Sequence, residues 1–211
     1  MADPIPTTAL PRGRHRLSRE EVRAAQRLRL VVALAEELTV AGYAKTPVAA
    51  ILKRAGISRQ TFYELYDDKR AAFLDALDVV GAVLLGELEA AFAGDGPPER
   101  RARAAVDRYL RTLADHLPFA RLFLVEAHAA GPEALARRAA VQDRLVDALV
   151  AATGARRAAD RFACRAYVAA VASLVALPVA TGDTDALAGL RRPLLTHLDE
   201  LFARVRAGRD R

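Results

Sequence analysis

The sequence predicts an all-α fold, with an N-terminal three-helix head containing a helix-turn-helix and a larger helical body behind it. Three observations carry this expectation. The chain of 211 residues is 53% hydrophobic but only 6% aromatic, with no Trp, and much of the apolar content is Ala and Leu, which suits helices packed on helices. Its apolar residues recur three and four apart, the helical period. Gly, Pro, Ser and Thr fall where those periodic segments begin and end.

Residues 1–17 are Pro-rich and then Arg-rich without periodicity, and read as a disordered basic arm. The first helix opens at Ser18, which with Glu21 forms a capping box; Leu17 and Val22 take the hydrophobic-staple positions. Leu30, Ala33, Leu34, Leu38 and Ala41 make its stripe, and Gly42 is its expected stop. Thr46-Pro47 reads as a second start, with Thr46 as N-cap. Val48, Ile51, Leu52 and Ala55 line one face of that short helix. Ala55-Gly56-Ile57 is a tight turn, and Ser58 caps a third helix from Arg59 to Tyr66. Two short helices joined through a Gly-containing turn form a helix-turn-helix. On the third helix Phe62 and Tyr66 face inward, leaving Arg59, Gln60 and Tyr63 outside. A fourth helix begins near Lys69, which places the expected boundaries at 18–68 for the head and 69–211 for the body.

In the body, Gly94 to Pro98 ends the fourth helix. Further helices run from about Glu99 to Asp115, from Pro118, and from Pro132 to Thr153. The next starts near Ala155 and is apolar nearly all round from Ala166 to Leu177. That run is too short to span a bilayer, and Pro178 and Gly182 end it or kink it near its end. Asp183 and Asp185 flank a helix start and read as caps. The last stretch carries the stripe Leu194, Leu195, Leu198, Leu201, Phe202 and Val205. The final two helices hold more apolar surface than one packing partner uses, which predicts a homodimer through them.

Charge is unevenly placed. Residues 10–70 hold 13 Lys and Arg against 7 Asp and Glu, and the remaining residues sum to zero, so the net +6 lies in the first third. A basic head on a neutral body suits a polyanion-binding module. Enzyme classes find no footing. There is no Gly-x-Ser-x-Gly elbow, phosphate loop or dinucleotide fingerprint. The histidines lack zinc spacing and Cys164 is the single cysteine, so neither a metal site nor a disulfide framework is expected. No cofactor is predicted. With no signal-like N-terminus or spanning run, the chain is expected in the cytoplasm and off the membrane.

The stretch from Leu30 to Leu74 resembles the TetR family of one-component regulators. In that family's pattern an apolar helix ends at Gly-Tyr, here Gly42-Tyr43. A Thr follows, here Thr46, and then a short helix like Val48-Ala49-Ala50-Ile51. The pattern closes on Ala-Gly-Val-Ser-x-x-Thr-x-Tyr-x-x-Phe-x-x-Lys, here Ala55-Gly56-Ile57-Ser58, Thr61, Tyr63, Tyr66 and Lys69. Gln60 stands where the family often has Gly, Leu65 where an aromatic or His often touches phosphate, and Tyr66 where Phe is usual. The C-terminal two-thirds resembles the family only in size and helical character.

The resemblance implies a transcriptional regulator that binds double-stranded operator DNA, most simply a repressor released by a small molecule. Arg59 is suited to read guanine and Gln60 adenine in the major groove. Thr46, Ser58, Thr61, Tyr63 and Lys69 are the expected phosphate contacts. Arg12, Arg14 and Arg16 are candidates for an adjacent minor groove. Candidate ligand contacts among the middle helices are Phe92, Tyr109, His116, Phe119, Phe123, Glu126, His128, Cys164 and Tyr167. With so few polar side chains there, an apolar or aromatic ligand is expected. Two other classes fit the same residues: a helical small-molecule-binding protein with a vestigial DNA head, and an activator or architectural DNA binder.

Overall fold

A computed structural model describes residues 18–209; Leu17 and the arm residues Arg12, Arg14 and Arg16 lie outside them. The head is built from α1 (Arg19–Lys45), α2 (Val48–Ala55) and α3 (Arg59–Leu65). The long α4 (Lys69–Ala93) leads into α5 (Pro98–Asp115), α6 (Leu117–Leu124), a 3-10 turn (Glu126–His128) and α7 (Pro132–Thr153). The chain closes with α8 (Ala158–Thr181), a short α9 (Thr184–Gly189) and α10 (Arg191–Arg209). Among the described residues there is no strand, and the fold is all-α.

The boundaries follow local chemistry. The Ser18 hydroxyl accepts the Glu21 N–H at 3.1 Å while the Glu21 carboxylate accepts the Ser18 N–H at 2.7 Å, the reciprocal capping box. Ser58, Asp68 and Asp183 cap α3, α4 and α9 through the N–H groups of Thr61, Ala71 and Ala186. Gly56 ends α2 at φ 62° and ψ 41°, a left-handed conformation that glycine adopts without a Cβ penalty.

Two boundaries differ from expectation. Gly42, at φ 73° and ψ 167°, breaks the helical path, but a last turn continues to Lys45. Thr46 then closes α1 instead of capping α2. Its N–H and its hydroxyl both donate to the Gly42 carbonyl, at 3.1 and 2.7 Å, and Pro47 takes the α2 N-cap position. The break explains the exchange: a helix-end carbonyl left without its usual donor must find one downstream.

The buried side chains form one continuous cluster from Leu30 to Val205. Within it α4 is packed by α1, α5, α6 and α7. The α10 stripe, Leu194 through Val205, is consumed within the chain, buried against α5 and α8. At 24 residues α8 is longer than its apolar run suggested, and by length and composition alone it could cross a bilayer. In the fold one side of it, including Cys164, Val171, Val175 and Val179, is core. The other side exposes an apolar stripe: Phe162 and Leu177 are each 70% exposed and Leu174 50%, with Ala166, Ala170 and Ser173 between them.

Gly42 sits in a region of backbone space essentially reserved for glycine, and a Cβ there would meet the Glu126 Oε2 at 3.4 Å. Gly42→Ala is expected to cost about 1–3 kcal/mol, seen as a lowered urea midpoint. Gly86→Ala, in helical backbone of α4 with open space around it, is expected to raise the midpoint by about 0.5–1 kcal/mol of stability.

Candidate DNA interface and ligand cavity

The outer face of α3 is made by anchoring its inner one. Phe62 is fully buried, with the rings of Tyr63 and Tyr66 at 5.3 and 5.7 Å from its own. Ile57 fills the turn below it. From α1, Arg23 donates to the Glu64 carbonyl at 3.3 Å. The Tyr66 hydroxyl donates to Asp75 at 2.5 Å, and Arg27 holds the same carboxylate through Nε at 2.6 Å. Burial and the adjacent Asp75 push the Tyr66 hydroxyl well above its usual range, so it stays a proton donor at any physiological pH. This network ties the end of α3 to α1 and α4, and sequence reasoning missed it; only the unmet need of the Tyr66 hydroxyl for a partner signalled it.

With that inner face secured, Ser58, Arg59, Gln60 and Tyr63 are exposed. The Arg59 guanidinium lies 5.7 Å from the Tyr63 ring centre, a cation–π distance. Gln60 donates to Glu64 at 3.0 Å, and the Ser58 and Thr61 hydroxyls are 2.9 Å apart. Each is a solvent-facing contact of modest strength, leaving these groups free to exchange partners. Together they bring a positive charge, an amide and several hydroxyls to one end of a short helix, where the backbone dipole also favours an anion.

Two candidate phosphate contacts are placed differently. Thr46 is 2% exposed and its only hydroxyl proton is used on Gly42, so it is a buried end-cap. Lys69 turns inward: its ammonium donates to the carbonyls of Tyr43 and Thr46 at 2.7 and 3.0 Å and lies 4.4 Å from the Tyr43 ring centre. Burial lowers its proton affinity. The cause is the free carbonyl cluster at the end of α1, which attracts a cation.

Glu126 shows the complementary arrangement. It is buried and accepts the Tyr43 N–H at 2.8 Å through Oε2, while Oε1 accepts from Arg121 at 3.0 Å. Arg121 also donates to the Ala180 carbonyl near the end of α8, at 2.7 Å. The Tyr43 backbone is thus held on both sides, its N–H by the turn after α6 and its carbonyl by the first residue of α4.

A cavity of about 80 Å³ lies between α4, α5, α6, α7 and α8. Four of the predicted ligand residues line it: Phe92, Tyr109, Phe123 and Tyr167. The rest of the wall is Leu, Val and Ala, apart from Gln142, which the sequence reading did not single out. Burial raises the hydroxyl pKa of both tyrosines; Tyr167 donates to the Leu194 carbonyl at 2.9 Å. His116 and Phe119 line a smaller recess that shares Leu84 and Phe123 with the cavity. Three candidates lie elsewhere. Glu126 is committed to the head contact just described. His128 is exposed on the 3-10 turn. Cys164 is buried beside the Thr153 hydroxyl at 3.5 Å, with its thiol pKa raised by burial.

Residues 30–76 match the family model of bacterial regulatory proteins, tetR family. No curated protein matches the chain. Among solved structures it is similar to the transcriptional regulator FadR from Bacillus subtilis in complex with stearoyl-CoA, at 16% identity and TM-score 0.69, covering 81% of this chain and 96% of that one. A TetR family transcription regulator from Marinobacter aquaeolei VT8 gives 18% identity and TM-score 0.68 over 88% and 98% of the two chains. A TetR-like transcriptional regulator from Rhodococcus sp. RHA1 gives 24% and 0.65 over 85% and 96%. The chain carries the helix-turn-helix of the TetR family on the all-α fold of that family's transcriptional regulators.

Proposed function

We propose that this chain is a homodimeric, cytoplasmic repressor that binds operator DNA through α3 and leaves it when a small molecule occupies the cavity. The observation that carries the reading is the outer face of α3, where Arg59, Gln60 and Tyr63 stand exposed on a helix whose inner side is fixed by Phe62 and Tyr66. Arg59 and Gln60 read base edges, and Ser58, Thr61 and Tyr63 contact phosphate.

Dimerisation is supported by the exposed stripe on α8. Burying a large apolar side chain is worth about 1.5–3 kcal/mol, so Phe162, Leu174 and Leu177 favour a second copy, whose two-fold axis matches paired half-sites on DNA. An apolar ligand is supported by the cavity wall, and the relative in complex with stearoyl-CoA shows that this fold accepts a ligand with a long apolar tail.

The release mechanism follows from the two contacts on Tyr43. A cavity of about 80 Å³ is smaller than the roughly 150 Å³ space that takes up benzene in an apolar protein core, so a ligand that seats fully between the helices displaces the walls. Leu84 and Leu88 belong to α4 and Phe123 and Leu124 to α6, and these two helices lead to Lys69 and Glu126. Moving either shifts α1 at its break and changes how far apart two heads sit. The ligand then binds the DNA-incompetent arrangement more tightly than the competent one, as linkage requires.

Fluorescence anisotropy on DNA from the gene's own upstream region, against a scrambled duplex across a salt series, tests the head. Tight binding to the upstream duplex is expected, with Arg59→Ala costing about 1–3 kcal/mol of discrimination. Equal, steeply salt-dependent binding to both duplexes would instead indicate a merely basic surface. For the dimer, sedimentation velocity of Leu174→Glu, Leu177→Glu is expected to show a folded monomer where the unaltered chain is dimeric; a dimer in both moves the interface off α8.

A further inference from the structure

The inward stripe of α7 runs through Ala134, Val141, Leu145, Val146 and Leu149, which are apolar and buried or half-buried. Two polar residues interrupt it, Arg138 and Gln142. Gln142 lines the cavity; Arg138 is not part of that lining but stands one helical turn before Gln142 on the same side of α7.

Arg138 is unlike its neighbours. Arg137 is paired with Asp78 and Glu133, and Arg144 with Glu89. Arg138, half-buried, makes no hydrogen bond or ion pair among the described residues, and its Nε is shielded from solvent without a partner. Burial disfavours its charge, and the Tyr109 hydroxyl on the cavity wall lies close enough to interact with it electrostatically. That hydroxyl likewise makes no hydrogen bond among the described residues. A guanidinium keeps its charge when buried, so a half-buried, unpaired one a helical turn from an apolar cavity carries part of a desolvation cost that an oxyanion would offset through paired N–H donors. Arg29 and Arg101 also have a shielded, unpartnered Nε. Arg29 borders a surface groove of the head, and Arg101 is on α5, outside the α7 stripe.

We propose that the cavity takes a small apolar carboxylate, its tail against Leu84, Leu88, Phe92 and Phe123 and its carboxylate on the Arg138 guanidinium with the Tyr109 hydroxyl as a second donor. This rests on the cavity being the effector site. Arg138 then decides which apolar molecules bind, because a neutral or cationic head leaves it unpaired.

Isothermal titration of the full chain near pH 8, where carboxylates are ionised, tests this with octanoate, 1-octanol, octylamine and 4-phenylbutanoate. Octanoate or 4-phenylbutanoate is expected to bind about tenfold or more tighter than octanol, and octylamine weakest; the stronger of the two acids tells an aliphatic tail from an aromatic one. Arg138→Met and Arg138→Gln are expected to abolish the preference for the acid while leaving octanol binding and the helical circular dichroism unchanged. Arg101→Met is expected to keep the preference. Octanol binding as tightly as the acids, or a preference that survives both Arg138 variants or is lost in Arg101→Met, overturns the assignment of Arg138 alone. Binding of none of the four overturns the effector cavity, and this proposal with it.

Discussion

The structure turns on the backbone of one residue, Tyr43. Helix α1 belongs to both halves of the molecule: it packs α2 on the head side and α4 and α6 on the body side. It meets both demands only because its path breaks at Gly42. A break releases backbone donors and acceptors into a partly buried region, where leaving them unsatisfied costs more than most single interactions supply. Glu126 and Lys69 meet that need at Tyr43 with opposite charges, one on the N–H and the other on the carbonyl. The orientation of the head is therefore set by two charged side chains that arrive from different helices of the body.

The head gains its rigidity from outside itself. Helices of eight and seven residues, such as α2 and α3, are too short to hold in water by their own hydrogen bonds. Ile51 and Phe62 bury them against α1, and the Arg27–Asp75–Tyr66 network fastens the end of α3 to α4. What remains exposed on α3 is the set of residues that none of these contacts uses. A polar surface on a pinned helix offers its side chains in one arrangement, which lowers the entropy lost on meeting a partner.

Much of this was legible in the sequence because it is local. Capping boxes, the left-handed glycine of the turn, and the alternation of inner and outer faces along α3 all follow from neighbours within a few positions. The placement of Thr46 and Lys69 was not legible, for the opposite reason. Their side chains answer to carbonyls freed by a helix break, and no spacing rule announces where a lysine 26 residues downstream will reach. The cavity divides the same way. Phe92, Tyr109, Phe123 and Tyr167 reach the cavity because aromatic side chains on inward faces line whatever space the helices leave. Glu126 and Cys164 were equally inward, yet one is bound to the head and the other packed beside Thr153. Inwardness can be read from periodicity; which neighbour it meets depends on the packing of helices far apart in the chain.

The tightness of the cavity also has a consequence for timing. Only about 80 Å³ is free among the Leu, Val and Phe side chains, so under the proposed function a larger effector seats fully only while the walls are parted. Collective helix movements of this kind take place in microseconds to milliseconds. If the cavity is the effector site, full seating is gated by that motion, so its rate would level off at the opening rate however concentrated the effector becomes. Departure would be gated in the same way, and a seated molecule would stay longer than its few contacts alone would hold it. A regulator working in this manner would average over brief fluctuations in supply and answer to abundance that persists.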